Sequence, residues 1–181
     1  MSVRMSLCAI VLAALVGCHS SPPIHPDGVS QHDEPMLGAV AKLAGDWEMT
    51  DEKGVTHRAS RFAVTSGGSA VREIMWPGNA MEMTNLYHMD GGALVCTHYC
   101  AAGNQPRMVA ACAETTEEGT VFRFDFESVT NLREAHEHYM GNMTLTILND
   151  GGLREEWRSY DRDGNLTDPM VFELTRASGG K

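Results

Sequence analysis

Glycine-centred turn signals recur about every ten residues from Trp47 onward, the mark of an antiparallel sandwich or barrel. They are Lys53-Gly54, Ser66-Gly67-Gly68, Pro77-Gly78-Asn79, Asp90-Gly91-Gly92, Glu118-Gly119, Asn149-Asp150-Gly151-Gly152 and Asp163-Gly164-Asn165. Between them lie short runs rich in Val, Thr, Phe, Tyr and Trp, residues that suit a pleated, half-buried surface. The runs predict about ten strands, at 46–52, 55–65, 69–76, 81–89, 93–101, 107–115, 120–127, 135–148, 152–161 and 166–175.

Side chains two apart on a strand share a face. At 120–127 this puts Phe122, Phe124 and Phe126 on one side and Val121, Arg123, Asp125 and Glu127 on the other, so one face is buried. At 135–148, His136, His138, Met140, Asn142 and Thr144 share a face, and Tyr139, Gly141, Met143, Leu145 and Ile147 share the opposite one. Neither set is purely apolar, which suits a barrel whose interior holds a cavity with a few polar groups. Before the strands, Pro35 to Ala44 places Met36, Leu37, Val40, Leu43 and Ala44 at helical spacing. A short amphipathic helix ended by Gly45 is predicted.

The N-terminus is an address. Arg4 precedes an unbroken apolar run, Leu7 to Val16, too short for a bilayer-spanning helix of roughly 20 residues. Leu15-Val16-Gly17-Cys18 then resembles the lipobox of bacterial lipoproteins. The resemblance implies a signal peptide over 1–17, lipidation of Cys18 and loss of Cys8. With two or more acyl chains, at about 0.8 kcal/mol per buried CH₂, such a protein stays on its membrane. His19 stands where an aspartate would resemble an inner-membrane retention signal, so a periplasm-facing outer-membrane position is expected. Residues 18–35, rich in proline, histidine and small polar residues, read as a flexible tether. The domain then spans 36–176 and the tail 177–181. The chain carries 24 Asp+Glu against 14 Lys+Arg, a net charge of −10, which argues against nucleic acid or anionic lipid as the main partner. Charges of both signs are scattered along the strands, so the acidity reads as solubility.

Gly45-Asp46-Trp47, opening the first strand after a short helix, resembles the Gly-x-Trp signature of lipocalins and related calycin barrels. Those proteins stack an arginine from the last strand on that tryptophan, and the resemblance assigns this closing role to Arg176. It implies an all-β fold, an antiparallel up-and-down calycin-like barrel of about ten strands with a short N-terminal helix. Nitrobindin-like haem barrels are relatives of this group, but Glu48-Met49-Thr50 replaces their extended glycine signature and no histidine follows His138. Haem binding is therefore not expected, and no other cofactor is.

The richest stretch chemically is Leu94 to Met108, L-V-C-T-H-Y-C-A-A-G-N-Q-P-R-M. Cys96, His98 and Cys100 share one strand face, beside a loop carrying Asn104, Gln105 and Arg107. Cys96 and Cys100 lie roughly 13 Å apart and cannot bridge each other. A hairpin pairing Cys100 with Met108 would bring Cys96 opposite Cys112, as a disulfide or as two buried thiols. A tight Asp90-Gly91 turn would pair Met83 with His98. Cys96, His98, Cys100 and Cys112 are thus weak metal candidates for zinc or copper(I). Cys100 with His98, His136 or His138 is a weak nucleophile–base candidate for a hydrolase or thiol-dependent enzyme.

The residues read as ligand-binding are His98, Asn104, Gln105, Arg107, Phe122, Phe124, Phe126, His136, His138 and Trp157. The expected function is that of a lipoprotein holding a small, mainly apolar molecule inside the barrel, oriented by a few polar groups. An enzyme at Cys100/His98, a metal-handling protein and a solidly packed structural lipoprotein are the alternatives. An empty interior lined by Phe122, Phe124, Phe126 and Trp157 would favour the ligand; an interior filled with side chains would favour the structural role.

Overall fold

Residues 35–178 are described by the structure, a computed structural model, and carry one α-helix and eleven strands. The expected signal peptide, Cys18, the tether up to residue 34 and residues 179–181 lie outside the described residues. Helix α1 (Pro35–Ala41) leads into β1 (Gly45–Thr50), β2 (Thr56–Thr65), β3 (Ala70–Met75), β4 (Met83–Asp90), β5 (Ala93–Tyr99) and β6 (Gln105–Ala110). Then come β7 (Ala113–Thr115), β8 (Gly119–Thr130), β9 (Tyr139–Leu148), β10 (Leu153–Tyr160) and β11 (Met170–Arg176). The strands run antiparallel, β11 returns to β1, and β6 pairs with β8 to shut the ring. Short β7 follows the line of β6 along the first half of β8, so ten strands form a closed antiparallel barrel.

The expected strand 107–115 is therefore two pieces, parted at Ala111 and Cys112, and the expected strand 135–148 begins only at Tyr139. Two turns set registers that differ from those expected. Gly91 and Gly92 both have positive φ (57° and 89°), as a two-residue hairpin turn requires. Asp90 thus pairs with Ala93, and Asn85, not Met83, stands opposite His98. The next hairpin turns tightly through Ala101 to Gly103, with the Cys100 N–H donating to the Asn104 carbonyl at 3.1 Å. That puts Cys96 opposite Met108, and Cys112 has no place beside it. Cys96, Cys100 and Cys112 are all free, one buried, one half-buried and one exposed, so the Cys96–Cys112 bridge is excluded.

The lower end of the barrel, where β1 starts, is plugged by Leu37, Val40 and Leu43, each at most 2% exposed. Helix α1 leaves through i→i−3 bonds from Leu43 and Ala44, the tighter last turn common at helix ends. The Trp47 indole N–H donates to the Leu43 carbonyl at 2.8 Å. Arg176 lies over the Trp47 ring at 4.6 Å and donates to the Ala44 and Lys42 carbonyls. Gly45 permits this: its φ is +131°, and a Cβ there would sit 3.2 Å from the Arg176 guanidinium.

Above the plug, rings fill the interior. Trp47, Phe62, Tyr87, Phe124 and Phe122 follow one another at centroid separations of 6.0 to 6.5 Å. Each such buried side chain contributes roughly 1.5–3 kcal/mol by leaving water. Phe126 breaks the expected series, because it packs half-buried against Tyr139 and Tyr160 at 5.3 and 5.5 Å.

Candidate functional site: a polar line inside the barrel

Residues on one row of a sheet meet only if the registers bring them level. Here the β2–β3–β4–β5 registers set Phe62, Glu73, Asn85 and His98 side by side. Glu73, Asn85 and His98 are fully buried, and burial of such groups is tolerable only when they are paired. Glu73 accepts from the Ser60 hydroxyl at 2.5 Å, from the Asn85 amide at 2.8 Å and from the Tyr87 hydroxyl at 2.8 Å. Since the Asn85 amide nitrogen is turned to Glu73, its carbonyl oxygen faces His98 Nδ1 at 2.7 Å. His98 therefore donates from Nδ1, and its Nε2 is left as a bare lone pair.

No protein group bonds Nε2. Burial holds the imidazole pKa down to about 4, so it is neutral at neutral pH. Its ring lies 5.1 Å from that of Trp157. The Trp157 indole N–H in turn donates to Glu155 Oε2 at 3.0 Å, and the Glu155 carboxyl also meets that of Glu73, a contact that needs a proton on one of the two. Burial first, and the nearby Glu73 carboxyl second, push the Glu155 pKa well above its ordinary value. The same two causes raise Tyr87 and Cys96 well above theirs. Cys96 is thus a protonated thiol in the core, unsuited to nucleophilic work.

The residues read from the sequence as one site are distributed over several places. His98 and Trp157 come together inside. Phe122 and Phe124 are core rings, at most 1% exposed, and with Trp157 they occupy the space where a cavity was expected. Arg107 sits on the outer wall, paired with Asp90 at 2.6 Å and with Glu127. Asn104 is buried and donates to the His138 carbonyl at 3.1 Å, its own Oδ1 unpartnered. Gln105 donates to the Gly103 carbonyl at 2.7 Å and accepts from Thr130, which completes the loop. His136 and His138 are exposed in the loop before β9, not on the barrel lining, because the strand begins three residues after His136. Cys100 accepts from the Ala102 N–H, while His98 is turned to Asn85, so the structure does not assemble a thiol–imidazole pair. Among the described residues, no group of three His, Cys, Asp or Glu could hold a metal ion.

Glu73, Asn85, Tyr87 and Ser60 were not singled out from the sequence. The available signal was faint: Val71, Glu73 and Met75 alternate with Arg72 and Ile74, so one acid stands on an otherwise apolar face.

Two features bear on access. Only Trp47–Arg176 and Glu48–Thr175 pair β1 with β11. At that seam a cleft of about 320 Å³ is lined by Met49, Leu153 and Leu174 on the inward side and by Thr50 and Glu173 on the outward side. Near the upper end of β3, Trp76 packs edge-on against Phe172 of β11 at 5.6 Å. Trp76 has φ of +54°, an uncommon conformation for a bulky residue.

No family model matches this chain, and no curated protein matches it. Among solved structures, the crystal structure of Rv2717c from M. tuberculosis superposes with a TM-score of 0.56 over 80% of this chain and 98% of that one, at 14% identity. The likeness establishes the closed ten-strand antiparallel barrel shared with that structural neighbour, and the fold alone.

Proposed function

We propose that the protein is a lipid-anchored, periplasm-facing lipoprotein whose barrel binds a small, mainly apolar molecule without chemical change to it. The observation that carries the binding reading is the unpartnered His98 Nε2, in a residue with no exposed surface. A buried polar atom without a partner costs about 1–3 kcal/mol, a cost that a ligand's polar group would remove. The seam beside Leu153 and Leu174 supplies the entry, since a wall held there by two residue pairs parts more easily than one with full pairing. Met49 at the cleft is an adaptable side chain that yields to an apolar body. The lipobox-like segment supports the envelope location.

Native mass spectrometry of the gently purified full chain tests this. A co-purifying small molecule that is lost from the His98→Phe variant is expected. Wild-type protein free of any adduct, with small molecules failing to shift its melting temperature, would defeat the binding reading. A second reading, a packed structural lipoprotein, is favoured by the ring series from Trp47 to Phe122. It predicts that same adduct-free result.

A further inference from the structure

The barrel interior holds acceptors that no buried cation serves. Among the described residues, His98 Nε2 is left without a partner there, and the Glu155 carboxyl has the Trp157 indole and the Glu73 carboxyl, with which it shares a proton. Two carboxyl groups, Glu73 and Glu155, lie inside, and no lysine or arginine is among the buried described residues. The outer rim of the seam cleft repeats the sign, with Glu48 and Asp150 in its lining beside Glu173, which Arg154 pairs. An anion entering here would meet carboxyl groups at the rim and inside, with no buried cation to receive it.

Resting on the ligand-binding reading above, we propose that the ligand's polar end is a protonated amine, an alkyl or aryl ammonium held between the Glu155 carboxyl and His98 Nε2 against the Trp157 ring. An ammonium brings three donors and no acceptor, which is what the interior lacks. The indole face adds attraction for the cation. Trp157 links the two acceptors, since its ring is 5.1 Å from His98 and its N–H is bonded to Glu155. The titratable groups facing Glu155 are Glu73 from β3, Tyr87 from β4 and Cys96 from β5, and His98 lies beyond the Trp157 ring. None of them supplies a positive charge at neutral pH.

Binding therefore has a proton balance. Glu155 shares a proton with Glu73 in the free protein, because two buried carboxyl groups in contact cannot both ionise. When the ammonium arrives, the carboxyl ionises against it and that proton goes to the buffer. Affinity rises with pH until the amine itself loses its charge.

Hexylamine, 1-hexanol and hexanoate differ in head group alone. Titration calorimetry of each into the full chain at pH 7.5, in buffers of different ionisation enthalpy, separates the outcomes. Hexylamine is expected to bind about tenfold or more tighter than hexanol, with release of about one proton, and hexanoate to bind weakest. Glu155→Gln, which keeps an acceptor for Trp157, is expected to lose both the amine preference and the proton release while still binding hexanol. Near-UV dichroism of Trp157 checks that the variant is folded. Equal affinity for the three head groups, or amine binding without proton release, overturns the amine assignment and leaves the binding reading intact. Binding by none of the three also overturns it, and the binding reading then rests on the co-purification experiment.

Discussion

Two sets of inward side chains share the same walls and serve opposite purposes. Trp47, Phe62, Phe122 and Phe124 belong to a ring series above the α1 plug and form the apolar set. Ser60, Glu73, Asn85, His98, Glu155 and Ser159, some of them directly beside those rings in register, occupy inward positions that an apolar residue would fill more cheaply. The apolar set explains why the chain folds. The polar set asks for a reason beyond folding, and His98 Nε2 within it lacks a partner.

The largest effect should come from the apolar set. Phe122→Ala removes a fully buried ring and should cost about 4 kcal/mol in denaturant unfolding. A cost under about 1 kcal/mol would mean the rings collapse around the gap, and the contrast between the two sets would weaken.

The polar set should show itself in pH. The His98 pKa falls from an ordinary 6.5 to about 4 on folding. The unfolded chain therefore binds a proton between those values that the folded one does not. Stability is full above pH 6.5 and declines as pH drops toward 4, by about 3 kcal/mol across the window. Glu155 works in the other direction, because its folded pKa is raised above the ordinary 4.5. Its contribution is present below pH 4.5 and is lost as pH rises. Urea midpoints from pH 4 to 9 should thus show a flattened acid limb for His98→Gln and a gain on the alkaline side for Glu155→Gln. Parallel curves for wild type and both variants would mean that neither group is as dry as described.

Glu73→Ala should come next, at about 2 kcal/mol, since it strands the Ser60, Asn85 and Tyr87 donors. Glu73→Gln should cost less, because an amide oxygen still accepts two of them. The smallest effect belongs outside: Arg107→Ala breaks two ion pairs whose acidic partners are about half exposed, and should change stability by less than about 1 kcal/mol. It should leave hexylamine affinity unaltered; a change would place part of the site on the outer wall.

Much of the barrel was legible because turn chemistry and period-two alternation are local. Phe122 and Phe124 declare their face within five residues, and Gly45-Asp46-Trp47 with Arg176 marks where the wall shuts. The polar line was not legible, because it depends on register across four strands. Moving the turn centre from Asp90-Gly91 to Gly91-Gly92 replaces Met83 with Asn85 as the neighbour of His98, and changes a supposed soft-metal pair into a hydrogen-bonded one. The short Ala101–Gly103 turn likewise separates Cys96 from Cys112. His136 and His138 misled for another reason: alternation continues in sequence after the strand has given way to loop.

Position 76 faces two demands that no single residue meets freely. Its backbone, at φ +54° just before Pro77, would suit glycine, whereas its neighbour Phe172 needs a ring to lean on. The chain keeps the indole and tolerates a twist costing about 1–3 kcal/mol. Replacement by glycine would relax the chain and leave a window beside the last strand. The molecule thus gives up local comfort to keep that side shuttered, and the apolar interior behind it stays out of water.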